Sequence, residues 1–326
     1  MFKNKTGLGS KNRKIKIVAV SILLVIAVLA LAFISYWQYA LMRVKDFTAI
    51  ELSRLKEDND LIRIRGADIH YVEKGSGDHT LILLHGIGGG AFTFRHNIET
   101  LADSGYRVFA LDLKGFGFSE KVPGSDYSHT EQARIVLDFM EEKEIEEAAV
   151  AGHSMGGRIA LICYDLDPEK FEKIILIDSA GLEESSPPFY SGLLTKPVVD
   201  IIYYNLFVRQ DNFRDFLGSA FYDEDFIDEQ VAGAYLEPFR IKDANIAYVS
   251  ILKGNVPYDI ETVLSKIDIP VLIIWGKYDT WISLDNAYRF NSLISGSKLS
   301  IIDKAGHVPM EEQPEAVNEA MLDFLQ

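Results

Sequence analysis

Ser154, Asp279 and His307 are the three residues of this 326-residue chain whose types could together form a hydrolytic nucleophile. Ser154 lies in a Gly-x-Ser-x-Gly pattern between Gly152 and Gly156, where an apolar stretch turns into a helical pattern. Glycines at these positions let a strand and a helix approach closely and leave the serine hydroxyl exposed on a strained turn. Because a serine hydroxyl needs a base, and the base needs an orienting acid, the three residues indicate covalent catalysis.

The acid and the base each follow an apolar stretch with the length of a strand. Asp279 comes after the stretch that begins at Pro270, and His307 comes after residues 298–302. A third stretch, residues 81–84, ends in the glycine-rich segment 85–90. Such a loop can offer a backbone N–H to a developing oxyanion, and the N–H of Met155 is the expected second donor.

From about Leu61 to its end, the chain resembles the Ser-nucleophile α/β-hydrolases, a superfamily of esterases, lipases and C–C hydrolases. The resemblance is carried by the order Ser, Asp, His and by the segment 112–119, which is similar to the family pattern D-x-x-G-x-G-x-S. Glu312-Gln313-Pro314-Glu315 after the histidine adds to it.

The resemblance implies that Ser154 is the nucleophile, His307 the base and Asp279 the acid. It also implies that Ile87 and Met155 supply the backbone N–H groups of the oxyanion hole. One departure is visible, because residues 280–283 replace the aliphatic-Pro segment that family members often carry after the acid. We expect this departure to change the local shape of the pocket and not the triad.

Alternating strand and helix patterns predict an α/β fold with a mostly parallel, eight-stranded sheet and helices on both faces. The strands are expected at residues 61–65, 69–73, 81–84, 108–113, 148–151, 174–177, 271–274 and 298–302. The helices are expected at residues 91–104, 130–144, 155–166, 284–294 and 314–325.

Residues 183–266 break this alternation, and their patterns predict helices at residues 198–207, 225–236 and 243–252. The resemblance implies that this insertion forms the cap over the active site. The segment holds 14 of the chain's 37 aromatic residues. For any single ring, packing of the cap on the main domain is the simpler explanation. Taken together, the rings favour a lipophilic substrate wall.

The N-terminus predicts a membrane anchor. Residues 17–42 contain no charged side chain, and a helix of that length exceeds a hydrocarbon core of about 30 Å. Six Lys or Arg residues precede the stretch, so the positive-inside rule leaves residues 1–16 in the cytoplasm and the hydrolase domain, 61–326, on the outer side. Residues 43–60 are the expected linker. A cleaved signal peptide is the competing interpretation.

The composition and the residue spacing disfavour several classes of partner and cofactor. Beyond residue 50 the chain carries 25 Lys and Arg against 47 Asp and Glu, which disfavours nucleic-acid binding. The histidines show no metal-ligand spacing with cysteines or carboxylates, so no metal is expected. The triad needs no cofactor. The single cysteine, Cys163, is expected to be a buried small hydrophobe.

Three residues outside the expected triad, His85, His153 and Asp178, could also be interpreted as catalytic. His85 is expected to order its loop by hydrogen bonding, and His153 to pack or donate locally. Asp178, at the end of the predicted strand 174–177, is a possible substitute acid, but Asp279 is preferred because its Trp-Gly-x-x-Asp context matches the family.

The main functional hypothesis is a membrane-anchored serine hydrolase of lipophilic or acylglycerol-like carboxylic esters. A carbon–carbon hydrolase of dienone acids would use the same triad. A catalytically silent hydrolase fold that serves as a surface binding protein is the alternative outside enzymology.

Overall fold

The computed structural model describes residues 7–42, 60–182, 196–204, 208, 210–252 and 257–326. Its centre is an eight-stranded sheet with the order β1-β2-β4-β3-β5-β6-β7-β8. The strands are β1 (Asp60–Ile64), β2 (Ala67–Lys74), β3 (His79–Leu84), β4 (Tyr106–Leu111), β5 (Ala148–His153), β6 (Phe171–Ile177), β7 (Val271–Gly276) and β8 (Lys298–Ile302). β2 pairs antiparallel with β1 and β4, and the other neighbouring strands are parallel. The predicted fold class is confirmed.

Twelve α-helices lie in the described part of the chain. They are α1 (Gly7–Leu41), α2 (Ile98–Asp103), α3 (His129–Glu142), α4 (Met155–Leu166), α5 (Lys196–Ile202), α6 (Gln210–Gly218), α7 (Glu229–Phe239), α8 (Asn245–Leu252), α9 (Ile260–Leu264), α10 (Asp285–Leu293), α11 (Pro309–Glu312) and α12 (Pro314–Leu325). Short 3-10 helices occupy Ala91–Phe94, Pro168–Lys170 and Glu224–Phe226.

Three predicted helices differ from the structure. The cap helix expected at residues 198–207 is α5, which ends at Ile202, and residues 205–207 lie outside the described part of the chain. The helix expected at residues 91–104 is broken into a 3-10 turn and α2, and at the break the buried Asn97 donates from Nδ2 to Asn318 Oδ1 at 2.8 Å. The cap helix expected from residue 225 begins at Glu229 instead. Asp228 caps it, because its carboxylate accepts from the Val231 N–H at 2.7 Å. A side chain that bonds backbone in this way stops the helix from extending further towards the N-terminus.

The two faces of the sheet bury two separate apolar clusters, as the alternation of side chains along a strand requires. Ile82, Val150 and Ile174 face one cluster with residues of α3 and α4. Leu83 and Ile175 face the other, which continues through α12 into rings of the cap such as Phe213 and Phe239. The cap therefore shares a continuous apolar interior with the second face of the sheet.

The long helix α1 carries an apolar stretch, Val18–Tyr39, of 22 residues, in which an 18-residue window reaches a mean hydropathy of 3.0 with none of the window buried. Length and composition suit an anchor or a signal segment. Near its end, Trp37 Nε1–H donates to Asp200 Oδ2 on α5 at 2.8 Å. The predicted linker, apart from Asp60, and cap residues 183–195 lie outside the described residues.

Candidate active site

Ser154 sits on a sharp turn between β5 and α4. Its backbone has φ 51° and ψ −116°, a left-handed conformation that costs a non-glycine residue about 1–3 kcal/mol. Two backbone hydrogen bonds to one neighbouring segment hold the turn. The Ser154 N–H donates to Ile177 O at 2.9 Å, and the Ser154 carbonyl accepts from the Ala180 N–H at 3.0 Å. Neighbouring strand β6 therefore enforces the conformation that the pattern around Ser154 predicts.

Asp279 and His307 form a buried pair at the ends of β7 and β8. His307 Nδ1–H donates to Asp279 Oδ2 at 2.8 Å, and the two side chains are 2% and 0% exposed. This bond places the proton on Nδ1 and leaves Nε2 as an acceptor. The other oxygen, Asp279 Oδ1, accepts from the backbone N–H groups of Trp281 at 2.7 Å and Ile282 at 3.0 Å.

Ser154 and His307 line one small cavity of about 40 Å³. The cap contributes Phe213, Phe216, Leu217 and other apolar residues to its wall. Among the described residues that line it there is no Lys, Arg, Asp or Glu. The structure thus brings the expected nucleophile and base to a common, uncharged cavity.

The expected oxyanion donors lie beside this cavity. Within the described part of the chain the Ile87 N–H has no hydrogen-bond acceptor. Met155 is the first residue of α4, where the N–H has no acceptor within the helix. His85 orders the Ile87 loop, since its Nδ1–H donates to Gly86 O at 2.7 Å and its Nε2 accepts from the Leu113 N–H at 2.9 Å. Burial lowers the pKa of His85, which keeps the ring neutral.

Asp112, the first residue of the D-x-x-G-x-G-x-S segment, supports the same loop. Its carboxylate accepts from the backbone N–H groups of Ala91 at 2.6 Å and Phe118 at 2.7 Å, and from His70 Nδ1–H at 2.6 Å. Burial opposes ionisation, but His70 and the N–H donors outweigh it and lower the pKa of Asp112 to about 2. An ionised Asp112 therefore ties strand β2 to the glycine-rich loop.

Comparison with known proteins agrees with this geometry. Residues 79–314 match the sequence profile of the α/β hydrolase fold. The chain belongs to the α/β hydrolase family. It is 30% identical over 269 residues to the hydrolase YugF of Bacillus subtilis (strain 168), covering 80% of this chain and 96% of YugF.

Two further proteins that are similar to this chain have names that state an activity. A Pseudomonas putida 2-hydroxy-6-oxononadienedioate/2-hydroxy-6-oxononatrienedioate hydrolase is 28% identical over 288 residues, covering 83% of this chain and 97% of that enzyme. The crystal structure of a membrane phospholipase A superposes with a TM-score of 0.70 and 24% identity, covering 96% of this chain and 98% of that one. At that identity the superposition shows the fold alone.

In this α/β hydrolase, sequence reasoning missed the contact made by Trp281, and it expected His153 to donate a hydrogen bond without identifying the acceptor. Trp281, in the segment that departs from the family pattern, stacks on the His307 ring with centroids 5.1 Å apart. His153 Nε2–H donates to the His307 carbonyl at 2.7 Å. Burial and the neighbouring His307 hold the pKa of His153 well below its usual value, so this donor is neutral. Both residues therefore contact His307, the expected base.

A buried polar network connects the cap to the main domain. Tyr235 on α7 donates its hydroxyl to Glu311 on α11, and Arg95 Nη1–H donates to the other Glu311 oxygen at 2.7 Å. Burial raises the pKa of Glu311 to about 7, although Arg95 opposes the shift. Tyr235 also lines both the 40 Å³ cavity and a second cavity of about 400 Å³, and Gly88 and Gly89 are the other lining residues that the two share.

Glu312 links a second part of the cap to the histidine loop. One of its oxygens accepts from the N–H groups of Tyr222 at 2.7 Å and Asp223 at 3.1 Å, and the other accepts from the Gly306 N–H at 2.6 Å. In addition, the His307 N–H donates to Ala220 O at 2.7 Å. Cap residues 220–223 are therefore bonded to Glu312 and to the backbone of His307, the expected base.

In the described part of the chain, the one group of His, Cys, Asp and Glu side chains close enough to share a metal ion is Asp178, Asp279 and His307. We assign this group to the acid–base pair, because His307 Nδ1 already donates to Asp279 and Asp178 Oδ1 accepts from the Gly276 N–H at 2.9 Å. Cys163 is buried and its Sγ–H contacts Ala133 O at 3.4 Å. Burial raises the pKa of this thiol, which makes it unreactive.

Proposed function

We propose that this α/β hydrolase is a membrane-anchored serine hydrolase that cleaves neutral, lipophilic carboxylic esters such as acylglycerols. The observation that carries the proposal is the cavity shared by Ser154 and His307, whose described walls hold aromatic and aliphatic side chains and no lysine, arginine or carboxylate. An apolar acyl chain gains free energy on entering such a cavity, whereas a carboxylate would lose its hydration without a compensating cation.

In the proposed mechanism Ser154 Oγ attacks the ester carbonyl while His307 Nε2 takes the hydroxyl proton. Asp279 stabilises the imidazolium that forms. The oxyanion accepts from the N–H groups of Ile87 and Met155. His307 returns the proton to the leaving alcohol, and a water molecule, deprotonated by the same base, then hydrolyses the acyl-enzyme and releases Ser154.

The contact between α1 and the cap supports a membrane-bound substrate. Trp37 bonds to Asp200 on α5, next to the end of the apolar stretch Val18–Tyr39. If α1 spans a bilayer, this contact keeps cap helix α5 near the membrane surface, where lipophilic esters partition.

Carbon–carbon hydrolysis is the second candidate, because the Pseudomonas putida relative carries the name of a dienedioate hydrolase. A dicarboxylate needs cationic groups near the serine, and none lines the cavity among its described residues. This observation favours the ester over the dicarboxylate.

A catalytically silent binding protein is the third candidate and is excluded by any serine-dependent turnover.

The test uses the full chain in detergent, a fluorophosphonate probe and a series of p-nitrophenyl esters. We expect the probe to label the parent protein and Ser265→Ala, whose serine is exposed and distant in the fold, but not Ser154→Ala. Ser154→Ala, Asp279→Asn and His307→Ala should each lower kcat/KM by about 10⁴-fold, and combining them should add little. Parent-like turnover by a folded Ser154→Ala protein, or turnover of a dienone diacid in preference to every ester, would contradict the proposal.

A further inference from the structure

Asp178 is a carboxyl group beside the acid–base pair that the proposed mechanism does not use. It follows β6 directly, its backbone has φ 42°, and its side chain is 0% exposed. One side-chain atom each of Asp178, Asp279 and His307 lies within 4.8 Å of the others. Two carboxyl groups thus share a dry site with one imidazole.

The two carboxyl groups receive very different numbers of hydrogen bonds. Asp279 accepts three, from the N–H groups of Trp281 and Ile282 and from His307 Nδ1–H. Asp178 accepts one, from the Gly276 N–H to Oδ1, and no described donor reaches its Oδ2. Donors stabilise a carboxylate, so the negative charge belongs on Asp279.

The charged groups around Asp178 also disfavour its ionisation. The titratable groups that act on it are Asp279 and Glu312, both of which disfavour a second negative charge, and His307, which Asp279 already engages. No described lysine or arginine forms an ion pair with it. Burial, followed by repulsion from Asp279, raises the pKa of Asp178 well above its ordinary value.

We propose that Asp178 is a neutral carboxylic acid whose Oδ2–H donates to the Asp279 carboxylate and so positions the acid of the triad. In this arrangement the proton lies between Asp178 Oδ2 and an oxygen of the Asp279 carboxylate, two atoms that would otherwise repel each other. By withdrawing charge from Asp279, the donor also limits how strongly the acid favours protonation of His307. The catalytic consequence rests on the proposed function, whereas the protonation of Asp178 does not.

Two variants, Asp178→Asn and Asp178→Leu, distinguish a neutral, donating Asp178 from an ionised one and from one without a role. The readout is the acidic limb of the profile of kcat/KM against pH, where protonation of the base removes activity. Asn keeps an acceptor for Gly276 and a neutral donor for Asp279, so we expect an unchanged limb and a parent-like kcat. Leu removes the donor, so kcat should fall about tenfold with KM unchanged, and the limb should move to higher pH. If Asp178 were ionised, Asn would remove a negative charge and move the limb to lower pH by about 1 unit or more, which overturns the proposal. A parent-like kcat and limb in Leu would overturn it as well.

Thermal unfolding of the parent and the Asn variant provides a readout that needs no substrate. A carboxyl whose pKa is raised on folding loses stability as pH rises above its unfolded value of about 3.9, whereas an amide does not. The Tm of Asp178→Asn should therefore increase relative to the parent as pH rises from about 4 to 8. A Tm difference that stays constant over this range would refute the neutral Asp178, even if Leu fails to fold. Absent ester turnover in a parent protein that shows the expected Tm trend would refute the proposed function alone.

Discussion

At the residue scale, the position of Ser154, the proposed nucleophile, depends on how closely α4 approaches β5 and β3. A Cβ placed on Gly152 would overlap the Gly156 carbonyl and the Gly157 nitrogen, and a Cβ on Gly156 would overlap the Leu84 carbonyl. The obstacles are backbone atoms, which cannot rotate away as a side chain can. The two glycines of the Gly-x-Ser-x-Gly pattern are therefore required by packing and would be so even without catalysis.

This packing predicts opposite effects for two glycine substitutions. Gly152→Ala should destabilise the protein by about 3 kcal/mol or more, because overpacking against backbone forces β5 and α4 apart. Gly233→Ala is the matched control, since Gly233 lies on α7 and a Cβ added there would meet no atom of another element within 4 Å, and it should stabilise the protein by about 0.8 kcal/mol. Chemical denaturation in detergent measures both. Equal stability of the two variants would contradict the role assigned to Gly152.

At the scale of elements, cap helix α7 divides the space available to a substrate. The cavity at Ser154 holds about 40 Å³, and the second cavity that Tyr235 also lines holds about 400 Å³. Tyr235 is fixed in place by Glu311 and by an edge contact with Phe92 at 5.5 Å. If the substrate is an ester, as we propose, we expect the position of this ring to limit the length of the acyl chain that can be bound.

Tyr235→Ala should join the two cavities and shift the preferred ester towards longer acyl chains. Each additional buried methylene contributes about 0.8 kcal/mol, which is roughly a fourfold gain in kcat/KM until the space is filled. Tyr235→Phe keeps the ring and removes the hydroxyl, so it should keep the parent optimum. Hydrolysis of p-nitrophenyl esters from acetate to laurate gives both profiles. An unchanged optimum in the Ala variant would show that Tyr235 does not limit chain length.

At the scale of the whole molecule, charge is distributed unevenly along the chain. Six Lys or Arg residues precede the apolar stretch of α1, and two follow it closely, while the chain beyond residue 50 is strongly acidic. This asymmetry underlies our proposal that the N-terminus is cytoplasmic and the hydrolase domain lies on the outer side.

Protease added to intact cells should therefore digest the chain beyond Arg43, while a tag placed before Lys16 stays protected. Replacing the six N-terminal Lys and Arg residues with Gln provides the control, since the bias that orients the helix would be lost and a mixed orientation is expected. Recovery of a chain that begins near Phe33 and is released by carbonate would show that the segment is a cleaved signal peptide.

The eight-stranded sheet and the placement of the predicted site residues could be anticipated from local patterns. Strand periodicity, the Gly-x-Ser-x-Gly turn and the order Ser, Asp, His are properties of short stretches, and each stretch encodes its own backbone conformation. Parallel strands bring their carboxyl ends to one edge of the sheet, so residues 154, 279 and 307 meet once the fold class is known.

The contacts around the pair were decided by tertiary structure alone. His153 reaches His307 from the end of β5 and Trp281 reaches it from the loop after β7, and Asp178 meets Asp279 because β6 lies beside β7. The position of Tyr235 likewise depends on a side-chain bond to a distant residue, Glu311. Local periodicity carries no information about such partners, because the free energy that selects them arises only when separate elements pack together.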